Sequence, residues 1–121
     1  MRPDDRCVYW FYMARFVPER MRCDRAEFVK ALKAEGAVFS AGYIPEPVYG
    51  KPMFQNHSFF AGHWPVKECG LTTMDYTKVK CPETEAILKT CMRFMVNQAM
   101  DEDYIRQVAK AVRKVAKHYA T

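Results

Sequence analysis

The C-terminal stretch 101–119 constrains the fold most, because its apolar residues recur at spacings of three and four. The apolar positions are Ile105, Val108, Ala109, Val112, Val115, Ala116 and Tyr119, and the basic positions on the other face are Arg106, Lys110, Arg113, Lys114 and Lys117. This spacing predicts a long amphipathic helix, whose positive end is met by the acids Asp101-Glu102-Asp103. A helix with one apolar stripe has to bury it against another element, so the chain is expected to fold in layers.

Three stretches have the composition of β-strands. Residues 7–17 are rich in aromatic and β-branched side chains and are apolar on both faces apart from Arg15. This pattern predicts a strand, and two apolar faces predict that it is central in its sheet. Residues 37–44 and 91–96 are predicted to form two further strands.

A helix is predicted between the first two strands. Asp24 and Glu27 have the spacing of a capping box, in which the Asp side chain accepts a hydrogen bond from the first turn. The helix is expected to run to about Glu35, with Phe28, Ala31 and Leu32 as its apolar stripe. Gly36 stands where a left-handed residue closes a helix.

A short helix is predicted from Pro82, with Ile87 and Leu88 facing inward. The order of elements is then strand, helix, strand, long loop, helix, strand, helix. This order indicates an α+β fold, with a small and mainly antiparallel sheet of about three strands and with helices packed on one face. We expect a single domain over residues 1–121.

The composition is that of a globular protein, since 50% of the residues are hydrophobic and 27% are charged. No run of 18 apolar residues is present, so no transmembrane helix is predicted. The N-terminal stretch 1–6 has early acids and no small-residue cleavage site after it, and we therefore expect a cytoplasmic protein. The net charge of +5 permits an acidic partner.

The five cysteines are odd in number, and no pair has the spacing of a zinc knuckle or a redox site. Cys69 and Cys81 with His57 and His63 are one conceivable zinc set, because zinc needs four converging ligands. We favour buried free thiols instead, since cysteine is common inside cytosolic proteins as a small apolar residue. No metal site is therefore predicted.

Residues 45–80 lack a steady period and are rich in proline, glycine and aromatic residues, which favours an ordered surface loop of functional importance. His57 and His63 lie in it, and with other polar and aromatic residues they are candidates for lining a pocket. These other residues are Tyr43, Tyr49, Lys51 and Trp64. For each histidine taken alone, an ordinary loop residue without a ligand is the interpretation that we prefer.

Three further features have a structural explanation that we prefer. The basic face of the last helix is expected to be a solvated surface, since no nucleic-acid-binding motif accompanies it. The aromatic run 9–12 has a β-pattern and is expected to lie in the core, although it is also a conceivable platform for stacked bases. His118 lies near the end of the last helix, where a cation suits the dipole.

Two segments resemble the C-terminal domain of the DegT/DnrJ/EryC1/StrS aminotransferases. The first is Tyr43-Ile44-Pro45-Glu46-Pro47-Val48-Tyr49-Gly50-Lys51-Pro52-Met53-Phe54. The second runs from Cys81-Pro82-Glu83-Thr84-Glu85 through Met92-Arg93-Phe94 to Asp101-Glu102-Asp103-Tyr104-Ile105. The similarity extends roughly over residues 8–119.

The resemblance implies an enzyme that moves an amino group from glutamate or glutamine to a keto-sugar nucleotide or a related cyclic ketone. It also implies a homodimer with active sites near the subunit interface. Pyridoxal phosphate, the family's cofactor, is held by a lysine of a large N-terminal domain that follows a serine-histidine pair. None of the ten lysines here has that context. We therefore expect that this chain alone is inactive and does not bind the cofactor.

The segment 43–64 is where the resemblance and the residue chemistry suggest substrate contacts. Tyr43 and Tyr49 are expected to hydrogen-bond sugar hydroxyls, Tyr49 standing where the family often has histidine. The remaining predicted substrate-binding residues are Lys51 for a phosphate, Phe54 for an apolar face, and His57. The alternative function is a non-enzymatic interaction domain that self-associates or binds a partner chain. Without the large domain, apolar surface that the complete enzyme buries would be exposed, and such surface favours association.

Overall fold

The computed structural model describes residues 2, 4 and 8–121, which form two compact units. We call the first the sheet unit; it comprises residues up to Tyr43 together with Thr90–Thr121. The second, the loop unit, comprises Ile44–Lys89. Whether the chain behaves as one domain stays a prediction.

The sheet unit contains a three-stranded antiparallel sheet, which confirms the predicted α+β class. Its strands are β1 (Phe11–Arg15), β2 (Phe39–Ser40) and β3 (Cys91–Met95), in the order β1-β3-β2. Two helices pack on one face of it: α1 (Arg25–Ala34) and α5 (Glu102–Tyr119). The register places Tyr12 and Phe39 on either side of Phe94, so these side chains share a face with the helices.

The core of the sheet unit lies between this sheet face and the two helices. Its buried apolar residues are Phe16, Phe28, Val29, Leu32, Ala37, Phe39, Met92, Phe94, Val108, Ala111 and Val115. Phe39 and Phe94 face each other across the strands with ring centroids 5.1 Å apart. Burial of such side chains stabilises a fold by about 1.5–3 kcal/mol each.

The helix limits agree closely with the predicted ones. Asp24 caps α1, its Oδ1 accepting from the Glu27 backbone N–H at 2.8 Å. Gly36 has φ +83° and closes the helix as predicted. Asp101 caps α5 in the same manner, with 2.7 Å to the Tyr104 backbone nitrogen.

The strand predictions need two corrections. β1 is an edge strand, since β3 lies between β1 and β2, and the predicted central position is therefore wrong. Tyr9, Trp10 and Tyr12 are 61%, 66% and 61% exposed, so the aromatic run 9–12 does not lie in the core as predicted. β2 has only two residues rather than the predicted stretch 37–44, because Gly42 takes φ +94° and turns the chain. Cys7, the predicted start of the first strand, lies outside the described residues.

The loop unit consists of short helical turns. Its helices are α2 (Pro52–Gln55), α3 (Pro65–Glu68) and α4 (Pro82–Thr90, whose last residue belongs to the sheet unit), and three 3-10 turns at Val48–Gly50, Phe60–Gly62 and Tyr76–Lys78 lie between or before them. α4 begins at the predicted proline, but Ile87 is 48% exposed and does not face inward as predicted. No helix in the described part of the chain is long and apolar enough to cross a membrane.

The described cysteines are free thiols. Cys91 is buried, Cys23 and Cys81 are half-buried, and Cys69 is exposed, so the prediction of buried thiols is wrong for Cys69. Cys7 lies outside the described residues. Within residues 8–121, three or more potential metal ligands do not come together anywhere.

Candidate functional site

The five predicted substrate-binding residues are divided between the two units. Tyr43 belongs to the sheet unit, while Tyr49, Lys51, Phe54 and His57 belong to the loop unit. Each has defined intramolecular contacts, and these contacts decide which of its atoms remain available to a ligand.

Tyr49 is the centre of a hydrogen-bond network within the loop unit. Its hydroxyl donates to Glu85 Oε1 at 2.5 Å and accepts from the Cys81 backbone N–H at 3.2 Å. The bond holds the pKa of the Glu85 carboxyl below its ordinary value and raises the pKa of the Tyr49 hydroxyl, since it favours the ionised acid and the neutral phenol. Gln55 Nε2 donates to the Tyr49 carbonyl at 2.6 Å. The network joins the turn at Tyr49 to the start of α4.

Lys51 forms an ion pair with Glu46, with 2.9 Å between Nζ and Oε1. Both side chains are partly exposed, at 39% and 44%, so solvent weakens the attraction. A phosphate that bound Lys51 would have to compete with this carboxylate.

Phe54 and His57 lie in an aromatic cluster of the loop unit, whose other members are Phe59, Trp64 and Tyr76. Phe54 packs edge-on against Phe59 and Tyr76, with centroids 5.1 Å away in both cases. Trp64 stacks on Tyr76 at 5.4 Å and contacts His57 at 4.6 Å. Such pairs stabilise by about 0.5–1.5 kcal/mol beyond the area they bury, and they define the shape of this otherwise irregular segment.

His57 has two unusual features. Its φ is +51°, in the left-handed region that residues with a side chain seldom adopt. Its Nε2 is buried and makes no hydrogen bond within the described chain, while Nδ1 lies 3.4 Å from Lys67 Nζ. Buried polar atoms without partners are rare and often mark functional positions. Among the predicted site residues of the loop unit, His57 is thus the one with a buried ring nitrogen, Nε2, that has no partner in the described chain.

Asp75 holds the turn that carries Tyr76 into this cluster. Its Oδ1 accepts from the Thr77 hydroxyl at 2.6 Å, and its Oδ2 lies 3.1 Å from Lys78 Nζ. The hydroxyl of Thr77, followed by Lys78, lowers the pKa of the Asp75 carboxyl from 3.8 to about 2.

Because the folded pKa is depressed, Asp75 contributes stability above pH 3.8 that is lost as the pH falls toward about 2. We expect the melting temperature of Asp75→Asn to fall less steeply over this range than that of the unmodified chain. Thr77→Val, which removes the hydroxyl but keeps the carboxylate, should move the loss to higher pH. Thermal melts at intervals across this range measure both effects, and identical profiles for the three proteins would contradict the assignment.

Tyr43 stacks on an arginine of the sheet unit. The Arg93 guanidinium carbon lies 4.6 Å from the centroid of the Tyr43 ring, and Phe11 and Trp10 contact the same ring at 5.3 and 6.5 Å. Arg93 Nε is buried and has no hydrogen-bond partner among the described residues. Sequence reasoning did not single out Arg93 as a candidate site residue, although a single charge inside the apolar strand Cys91–Met95 was an available signal.

A family profile described as the DegT/DnrJ/EryC1/StrS aminotransferase family matches residues 1–113. The chain belongs to this aminotransferase family. The resemblance found in the sequence is thus confirmed, and the α+β arrangement of the sheet unit agrees with it. A search of curated proteins finds no match.

Enzymes of the DegT/DnrJ/EryC1/StrS family are generally dependent on pyridoxal phosphate. A lysine that carries this cofactor needs surroundings that favour its neutral, nucleophilic form. Nine of the ten lysines of this family member are exposed, and the tenth, Lys51, is half-buried and paired with Glu46. The lysines of this chain therefore do not fit the cofactor.

Proposed function

We propose that this chain is the C-terminal domain of a cytoplasmic, pyridoxal-phosphate-dependent aminotransferase that acts on a keto-sugar nucleotide or a related cyclic ketone. The amino donor is glutamate or glutamine, and the complete enzyme is a homodimer. The match of residues 1–113 to the family carries this proposal. The exposure of the lysines supports its second part, that the chain requires a large domain to supply the cofactor-bearing lysine and is inactive without it.

The predicted contact residues take different roles in this proposal. Tyr43 is 45% exposed, and its hydroxyl hydrogen-bonds a sugar hydroxyl, while His57 Nε2 supplies an unmet hydrogen bond. Lys51 meets a phosphate by exchanging its partner Glu46 for it. Tyr49 keeps its bond to Glu85 and, like Phe54 in the aromatic cluster, acts by holding the shape of the loop unit.

Reconstitution tests the proposal. The chain is assayed with pyridoxal phosphate, glutamate and a panel of keto-sugar nucleotides, first alone and then co-purified with the large domain of a family member that carries the serine-histidine-lysine segment. We expect no amino transfer by the chain alone and measurable transfer by the pair. In the pair, Tyr43→Phe should reduce kcat/KM, whereas Tyr12→Phe, which changes an exposed tyrosine on the other face of β1, should not.

An apolar groove favours a second candidate, the interaction domain. The groove has a volume of about 580 Å³ and lies in the sheet unit between the helix face of the sheet and α5. Tyr12, Phe94, Ile105 and Val112 are among its lining residues. Exposed apolar surface of this kind is typical of contacts with another chain. Concentration-dependent sedimentation by the chain, together with failure of every reconstituted pair to transfer an amino group, would favour this candidate.

A further inference from the structure

Arg93 occupies an unusual position for a charged residue. It lies in β3, the central strand, directly opposite Met13 of β1 and Ser40 of β2. This register puts its side chain on the sheet face opposite to α1 and α5. Arg93 is half-buried there, and Nε is completely buried without a hydrogen bond in the described chain.

No carboxylate of the described residues pairs with Arg93. Partial burial of a guanidinium without a counterion is costly, and an apolar side chain of similar volume would suit a central strand better. The contact that this side chain does make is the stack on Tyr43. A stack fixes the plane of the guanidinium without using the N–H groups at its edge. Because Nε is buried, an oxyanion has to be held by two parallel hydrogen bonds from the Nη groups.

Among the described strand residues on this sheet face, the charged ones are arginines. β1 contributes Phe11, Met13 and Arg15 to it, and β3 contributes Cys91, Arg93 and Met95. Arg15 is exposed and is the diagonal neighbour of Arg93, so the two residues are roughly 7–8 Å apart, with their Cβ atoms somewhat closer. Two neighbouring arginines match a group that carries two negative charges.

We infer that Arg93, oriented by Tyr43 and assisted by Arg15, binds a phosphate group. At neutral pH a phosphate carries close to two charges and presents several acceptor oxygens, whereas a carboxylate carries one charge. The exposed ring of Trp10, 66% accessible, lies beside Tyr43 and offers a face on which a planar base can stack. The phosphate group therefore has two possible sources, the free ion and a nucleoside diphosphate. The inference rests on the proposed function only where it names the nucleoside diphosphate.

Binding to the 121-residue chain tests the inference without cofactor, large domain or turnover. Inorganic phosphate and uridine 5′-diphosphate are titrated separately, by calorimetry and by NMR of the Arg93 and Trp10 side-chain N–H groups. We expect saturable binding of both ligands that shifts the Arg93 resonances. Tighter binding of the diphosphate, with shifts at Trp10, identifies a nucleotide site; equal affinities identify a site for free phosphate.

Three variants separate a specific site from general attraction. Arg93→Gln should weaken phosphate binding about tenfold or more, since it removes a charge-assisted fork. Arg93→Lys keeps the charge but not the fork, and its affinity for phosphate should lie between those of the unmodified chain and of Arg93→Gln. Arg113→Gln removes an equal charge from the exposed face of α5 and should leave the affinity unchanged.

A stability measurement keeps the inference falsifiable if a variant folds poorly. Arg93→Leu should unfold at the same or a higher temperature than the unmodified chain, because it replaces an uncompensated charge in the sheet by an apolar side chain. A large loss of stability in Arg93→Leu would instead show a structural role for the guanidinium. Phosphate binding that survives in Arg93→Gln, or that Arg113→Gln weakens equally, would overturn the inference. If phosphate binds through Arg93 but reconstitution fails, the proposed function is refuted and the inference about Arg93 stands.

Discussion

Replacement of Leu32 by alanine is expected to lower the free energy of unfolding of the sheet unit by about 2–5 kcal/mol. Leu32 lies in the last turn of α1 and is the one large side chain of the described residues that is fully buried, with 0% exposure. The substitution removes its contacts in the core and leaves a cavity that the neighbouring sheet and helix close only in part. A domain of this size has a total stability of about 5–15 kcal/mol, so the loss is a large fraction of the whole.

Urea denaturation followed by far-ultraviolet circular dichroism measures this loss. Leu71→Ala is the matched control, because it removes the same atoms from a leucine that is 77% exposed, and it should change the stability by no more than about 0.5 kcal/mol. Equal midpoints for the two variants would show that the core is not where the structure places it.

The helix limits could be predicted because they depend on neighbours in sequence. Asp24 and Asp101 each satisfy a backbone N–H three residues later, and this spacing is visible without a structure. The left-handed turn at Gly36 is likewise a local property. The seven apolar positions of α5 predicted a buried stripe, although Ile105 near its start is 40% exposed.

The order of the strands in the sheet and their lengths could not be predicted in the same way, because both depend on pairing with distant segments. The apolar residues on both faces of β1 suggested a central strand, yet β3 takes the centre by pairing with β1 on one side and β2 on the other. Pairing alone decides which of two apolar strands becomes the edge. The exposed Tyr12 is the consequence.

The candidate site was only partly predictable for a related reason. Residue types and the proline-rich segment indicated where polar and aromatic groups would gather. Their partners, however, come from far along the chain: Tyr49 bonds to Glu85, 36 residues away, and Tyr43 stacks on Arg93. Such contacts arise from tertiary packing, and no local pattern specifies them.

Failure to form a specific covalent complex with pyridoxal phosphate is the second expected result, and the effect is all or none. A lysine that carries the cofactor has to be desolvated and held beside groups that bind the phosphate and the ring. The lysines of this chain project mostly into solvent, and the half-buried Lys51 is engaged by Glu46. Exposed lysines outside such a site react slowly and without selectivity.

The most direct test asks whether any lysine of this chain binds pyridoxal phosphate specifically. The chain is incubated with pyridoxal phosphate and reduced with borohydride, and pyridoxyl-lysine is then mapped by mass spectrometry. Lys51→Met serves as the matched variant, since Lys51 is the least exposed lysine. We predict low, substoichiometric labelling spread over several exposed lysines and unchanged in Lys51→Met. One pyridoxyl group per chain at a single lysine, abolished when that lysine is replaced by methionine, would contradict the claim that the catalytic lysine is supplied from outside this chain.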